Sequence, residues 1–150
     1  MAEAAARARG VVVLNPVPAL AVPLPAELLR KVDVLVPNLG ELRWLAGADE
    51  PPADLDQVAA LARRIDVPAI VVTLGAEGAL CVEGSSVIHV PAMPVEVVDT
   101  VGAGDNFCAG LVDALVSGMD LARVAQAAAL AAAAAVTTTG AQSRVLSTRP

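Results

Sequence analysis

Three short runs of apolar, mostly β-branched residues constrain this chain more than anything else in it: Val11–Leu14, Val34–Val36 and Ala69–Thr73. None alternates with polar residues, so none reads as a strand with one wet face. Each predicts a short strand buried on both sides. Helical segments separate them. Ala26–Lys31 makes one or two turns, and Leu55–Ile65 carries Leu55, Val58, Leu61, Ala62 and Ile65 at helical spacing. Doubly buried strands that alternate with helices predict an α/β fold, a layered α/β/α arrangement around a mostly parallel sheet.

The rest of the chain fits that frame. Met1–Arg9 reads as the end of a helix closed by Gly10, and the four prolines of Asn15–Pro25 exclude regular structure there. Pro37 stops the second strand. Asn38 then stands where a helix N-cap belongs, with Glu41 three residues on, and the helix runs through Leu42 and Leu45 to about Ala46. Asp49–Asp54 is a loop. Gly75 and Gly78 bracket a tight turn, and Ala79–Val82 and Val87–Val90 flank Glu83-Gly84-Ser85-Ser86 as a hairpin. Val95–Val98 is extended. Two helices follow, Ala103–Val116 ended by Gly118 and Leu121–Thr137, before a polar, irregular tail from Gly140. There is no internal repeat, and residues 1–150 read as one domain.

Composition narrows the function classes. Hydrophobic residues make up 56% of the chain but aromatics only 1%, namely Trp44 and Phe107. The core must be built from Ala, Val and Leu, which suits helices packed tightly on a sheet and not a surface that stacks bases. The net charge is −6. A duplex-binding protein carries a basic face, so nucleic acid is not an expected partner. An acidic chain can still hold nucleotide phosphates through backbone N–H groups and a metal. Cys81 and Cys108 stand far apart among apolar residues and read as small buried hydrophobes in a reducing compartment. Met1–Arg9 has no apolar core of a secretory leader, and the apolar stretch Ala127–Val136 is too short to span a bilayer. The expected location is the cytoplasm, away from membranes. His89 has no second ligand at metal spacing and reads as structural, Trp44 as core packing, and Arg63 and Arg64 as solvated.

Chemistry concentrates in Asp99-Thr100-Val101-Gly102-Ala103-Gly104-Asp105-Asn106-Phe107, which joins an extended run to a long helix. Gly102 and Gly104 allow a tight turn and a close approach of backbone to ligand. The N–H groups of Gly102, Ala103, Gly104 and Asp105 would leave the helix N-terminus as an anion site. A carboxylate at Asp105, beside a bound phosphate, is well placed to take a proton from an attacking hydroxyl. The bland alternative is a glycine-rich helix start with an ordinary first-turn Asp. A Walker A loop is excluded because no Gly-Lys-Ser/Thr is present, and Phe107 stands where a dinucleotide fingerprint needs its third glycine.

The run Val97-Val98-Asp99-Thr100-Val101-Gly102-Ala103-Gly104-Asp105-Asn106-Phe107 closely resembles the C-terminal signature of the PfkB-type carbohydrate kinases, the ribokinase family. Four further segments resemble the family in order and spacing. They are Leu14-Asn15-Pro16-Val17-Pro18-Ala19, the Asn-x-x-Glu motif at Asn38–Glu41, the Thr-Leu-Gly-x-x-Gly loop at Thr73–Gly78, and Thr137–Gln142 ending Gly140-Ala141-Gln142. Together they cover nearly the whole chain.

The resemblance implies a fold and a set of roles. Asp105 would be the general base, and the backbone of Gly102, Ala103, Gly104 and Asp105 the anion hole for the transferring phosphoryl group. Asp99 would contact the sugar or help hold a monovalent cation (K+), with the carbonyls of Val101, Val136 and Gly140 as neighbours; its rival reading is a turn-forming Asx residue. Asn38 and Glu41 would orient Mg2+ and the phosphates through water, a role compatible with a plain capping pair. Gly40 departs from the acidic residue commoner there in the family. Thr73, Gly75 and Gly78 would line the ATP site or form only a hairpin turn. Ala125–Ala135, with Ala129 near its middle, would flank the adenine through van der Waals contact alone.

The implied reaction is ATP-dependent phosphorylation of a sugar, ribose at its 5-hydroxyl first. A related kinase for another sugar or a nucleoside is the alternative, and an inactive nucleotide-binding module a second; a nicotinamide oxidoreductase is a distant third. The resemblance further implies a homodimer. It also implies that the N-terminal half of the family's domain, with its sugar-gripping Gly-Gly motif and lid, is absent from these 150 residues. That absence predicts an open apolar edge and weak or no turnover by the chain alone.

Overall fold

The structure is a computed structural model. It describes residues 2–16 and 24–137. They form two compact units that divide after Pro91.

The first unit is built on a five-stranded sheet in the order β1 (Val13–Leu14), β2 (Val34–Leu35), β3 (Ala69–Thr73), β4 (Ala79–Glu83), β5 (Ser86–Val90). The first three strands run parallel, with Val13 opposite Val34 and Val34 opposite Ala69. β4 and β5 continue the sheet antiparallel. The sheet is therefore mixed, and the connections decide where parallel pairing ends. Parallel neighbours need a crossover of a dozen or more residues, which the segments between β1, β2 and β3 supply. Only Leu74–Gly78 joins β3 to β4, and Gly84-Ser85 joins β4 to β5, so both turns must reverse the chain.

Helices α1 (Ala2–Arg7), α2 (Ala26–Leu29), α3 (Leu39–Leu45) and α4 (Leu55–Ala62) complete the unit. Its core joins Val32 and Leu35, Leu42 of α3, Val58, Ala59, Leu61 and Ala62 of α4, and Ile70, Val72, Leu80 and Val82 of the sheet. Fully burying a Leu or Ile stabilises by roughly 1.5–3 kcal/mol, so these aliphatic residues carry a core without aromatic help. β3 is buried on both faces, as its unbroken apolar run requires. β1 forms one edge of the sheet, anchored where Asp33 Oδ2 accepts from Val12 N at 2.7 Å. The preceding Val11 is 58% exposed and Val13 and Leu14 are only half-buried, so β1, lying at the sheet edge, is not the doubly buried strand that its apolar run predicts. Arg63 is exposed, as its sequence reading expects, and has a further role. Its guanidinium donates to the carbonyls of Gly84 and Ser85 and ties the end of α4 to the hairpin turn. Turn carbonyls point outward without a ladder partner, which makes them ready acceptors for a neighbouring Arg.

The second unit pairs α5 (Ala103–Val116) with α6 (Leu121–Val136), joined by four residues that include Gly118 at φ +74°. Phe107, Leu111 and Ala114 form the buried stripe of α5, and Val124, Ala125, Ala128, Ala129 and Ala135 that of α6. Alanine on α6 lets the two helices pack closely, and at Gly110 there is no room for an added Cβ. The Asp120 side chain caps α6 by accepting from Arg123 N at 3.0 Å. No described helix is long and apolar enough to cross a membrane.

Candidate active site

In the first unit the residues of interest gather at the carboxyl end of the parallel strands. Beyond β2, Asn38 takes an extended conformation and caps α3. Its Oδ1 accepts from Glu41 N at 2.9 Å, and Glu41 Oε2 accepts from Asn38 N at 2.8 Å. This reciprocal pair satisfies two of the donors that a helix start leaves without partners. Glu41 is buried at 6% exposure, while Asn38 is exposed. Thr73, the last residue of β3, lies beside Asn38, and its N–H donates to the Pro37 carbonyl at 2.9 Å. The structure thus brings Asn38, Glu41 and Thr73 together at the end of an α/β sheet where ligands characteristically bind.

The turn after Thr73 is a short 3-10 segment, Gly75–Glu77. Gly75 and Gly78 both have positive φ, +60° and +96°, which side chains disfavour. His89 on β5 fastens this turn: its Nε2 lies 2.7 Å from the Glu77 carbonyl. A carbonyl only accepts, so Nε2 carries the proton. Among the described residues no cluster of three or more His, Cys, Asp or Glu side chains could hold a metal directly. The cleft of about 470 Å³ in this unit, lined by Arg63, Ile65, Pro68, Ile70 and Val82, sits at the other end of β3 and contains none of these residues.

In the second unit the turn before α5 is shaped from both sides. Asp99 Oδ1 accepts from Val101 N at 3.0 Å, so Asp99 is the Asx-turn residue that its rival reading foresaw. Gly102 is the N-cap of α5 in the left-handed region, at φ +80°. Three of the four expected anion donors, Gly102, Gly104 and Asp105, belong to the helix start that has no intrahelical acceptors. The fourth, Ala103 N, is engaged with the Thr100 carbonyl at 3.3 Å, a correction to its reading as an open donor. That bond closes the turn which Gly102 permits. Asp105 is exposed in the first turn of α5. A Cβ on Gly104 would meet nothing within 4 Å, so packing inside the chain does not demand glycine there.

Val136, at the end of α6, is brought to Asp99. Its carbonyl accepts from Val98 N at 2.8 Å and Asp99 N at 3.2 Å, which uses both lone pairs of that oxygen. Gly140 lies outside the described residues, as do Val17–Ala19 of the Asn-Pro segment. Ala129 is 8% exposed on α6.

Residues 1–149 match the profile of the pfkB family of carbohydrate kinases. The chain belongs to that family. It is 36% identical over 140 residues to a ribokinase of Arabidopsis thaliana, covering 91% of this chain and 37% of the relative. It is 39% identical over 135 residues to a deoxyribokinase of Salmonella typhi, covering 88% and 43%. The solved structure of Arabidopsis thaliana ribokinase complexed with ribose and ATP superposes with a TM-score of 0.83 at 34% identity, over 93% of this chain and 46% of that one. The chain spans less than half the length of each of these relatives, and the ribokinase-like α/β fold is shared over that part.

The donor set of this pfkB-family chain bears on the ions implied for it. One carboxylate and one carboxamide, each already accepting a backbone N–H, fit a Mg2+ that keeps most of its water and is reached through it. They do not form a direct cage. Two residues with a clear place in the geometry were not read as part of a site from the sequence. One is His89, clamp of the Gly75–Gly78 turn. The other is Asn106, whose Nδ2 donates to the Gly102 carbonyl at 2.9 Å. The only sequence signal for Asn106 was its position four residues after a helix-starting glycine, which brings a side chain over the N-cap.

Proposed function

We propose that this chain supplies the nucleotide-binding and catalytic part of an ATP-dependent pentose kinase, with ribose phosphorylated at its 5-hydroxyl. The observation that carries the reading is the start of α5. There a left-handed Gly102, an open Gly104 and the exposed carboxylate of Asp105 stand at the N-terminus of a 14-residue helix. Deoxyribose is the second candidate sugar, on the 39% identity to a deoxyribokinase.

In this reading the N–H groups of Gly104 and Asp105, with the positive end of the α5 dipole, stabilise charge on the transferring phosphoryl group. Asp105 takes the proton of the sugar hydroxyl as its oxygen attacks the γ-phosphorus and the bond to the ADP oxygen breaks. Thr73, Gly75 and Gly78 line the nucleotide, and Ala129 belongs to the segment that flanks the adenine. Asn38 and Glu41 would hold Mg2+ through its waters, and the ion would neutralise phosphate charge. Asp99 and the Val101 carbonyl are the donors assigned to K+; the Val136 oxygen would join them only by exchanging an N–H for the ion. Association of two copies as a homodimer belongs to the same proposal.

Calorimetric titration of Mg·ATP into the chain tests this. Saturable binding that is lost in Gly104→Val and kept in Asp105→Asn is the expected result, followed, once an N-terminal half of the family's domain is supplied, by ribose-dependent ADP formation that Asp105→Asn abolishes. A folded chain that binds no Mg·ATP would overturn the reading.

A further inference from the structure

The carbonyl oxygen of Gly102 receives two donors from a single residue. Asn106 N and Asn106 Nδ2 both lie 2.9 Å from it. The first is the ordinary opening bond of α5; the second is a side chain reaching back over one turn. We infer that Asn106 is a positioning residue, which holds the Gly102–Asp105 backbone with the Gly104 and Asp105 donors turned outward; this rests on the phosphate-site reading of that turn.

The need for such a brace follows from the sequence. An N-cap usually steadies the helix start with its own side-chain oxygen, and Gly102 has none. Glycine also imposes the weakest steric barrier to rotation, so the peptide after Gly102 is the one least fixed by its own residue. A peptide unit is planar, so holding its oxygen fixes the direction of its N–H as well. The Gly102–Ala103 peptide is held at both ends, its oxygen by the two Asn106 donors and its N–H by the Thr100 carbonyl at 3.3 Å. If that peptide rotated, a carbonyl oxygen would face the phosphate, and Gly104 and Asp105 would lose their register with it. Asn106 thus acts on the ligand through the backbone and does not touch it.

The test is an amide NMR titration of the 15N-labelled chain with Mg·ATP, following Gly104 and Asp105, on the wild type and on Asn106→Ala, Asn106→Leu and Asn106→Ser. Serine retains a hydroxyl that donates to the carbonyl four residues back, whereas alanine and leucine offer no donor. The expected result is an apparent Kd about five-fold weaker in the alanine and leucine variants, the order expected for one hydrogen bond. The serine variant should fall within about two-fold of wild type. Leucine keeps the bulk and helix preference of the site should alanine unsettle the fold. Wild-type affinity in the alanine and leucine variants, with at most a lower melting temperature, would make Asn106 a helix cap only and overturn the inference. Serine as weak as alanine would overturn it too. If Gly104 and Asp105 do not respond in the wild type, the phosphate reading of the turn fails and the inference with it. A wild type that binds beside an unaffected alanine variant removes only the role of Asn106.

Discussion

Gly110 of α5 lies so close to Ala131 of α6 that a Cβ on the glycine would stand 2.7 Å from the alanine methyl. The same added carbon would meet the Ala127 carbonyl and the Ala128 Cα at 3.2 Å. Backbone atoms cannot rotate aside, so the helices would have to separate. Overpacking of this kind costs about 1–3 kcal/mol, against about 1 kcal/mol gained in helix preference on replacing glycine by alanine. Gly110→Ala is therefore expected to lower the denaturant midpoint, and Gly110→Val to lower it further. A raised midpoint would show that the helix pair has room to yield.

The Asn38–Glu41 pair gives a prediction that separates capping from ligand chemistry. Asn38→Ala removes the acceptor for Glu41 N and is expected to cost about 1 kcal/mol in urea unfolding. Asn38→Asp keeps an acceptor at the same place and is expected to unfold within about 0.5 kcal/mol of wild type. If the pair also orders a hydrated Mg2+, Asn38→Asp should still alter the Mg2+ dependence of ATP binding, while stability stays level.

His89 tests whether the Gly75–Gly78 turn is held from β5. His89→Ala removes the only donor that a side chain presents to the Glu77 carbonyl among the described bonds. Amide exchange at residues 75–78 is expected to quicken by about five-fold, the scale of one hydrogen bond, while β3 amides stay protected. Unchanged exchange in the turn would show that the two glycines hold it unaided.

Cys81 carries a pH signature. Burial, and secondarily the charge of Glu83, push its thiol from the ordinary value near 9 up to about 11. In the unfolded chain the thiol loses its proton near pH 9; in the folded chain it keeps it until about pH 11. Above pH 9 the unfolded state therefore binds fewer protons, and stability falls with rising pH until about 11. Urea midpoints measured from pH 8 to 11 are expected to drop in the wild type more steeply than in Cys81→Ala. The thiolate is the reactive form, so Cys81 should also be alkylated at pH 8 later than Cys108, which is only half-buried on α5.

Much of this was legible from residues alone. The strand at Ala69–Thr73 and the helix at Ala103–Val116 have the bounds their patterns predict, because an apolar β-branched run and a glycine-bracketed 3.6-residue period are local signals. The Asn38–Glu41 capping box was legible for the same reason: its partners are three residues apart. Arg63 was not, since its acceptors are 21 and 22 residues away and only folding brings them near. Nor was the half-burial of Cys108, which the sequence reads as a buried hydrophobe.

By itself, then, the sequence determined the α/β class, the order of elements, the Asn38 cap and the glycine turn with Asp105 behind it, all of which follow from signals within a few residues. The tertiary structure decided what depends on distant partners. It ended the parallel pairing at β3, set Thr73 beside Asn38, and fastened the Gly75–Gly78 turn with His89. It also closed the Val136 carbonyl onto Val98 and Asp99. A buried carbonyl or N–H must find a partner wherever the fold supplies one, and which partner arrives is fixed by the packing of elements that local sequence does not specify.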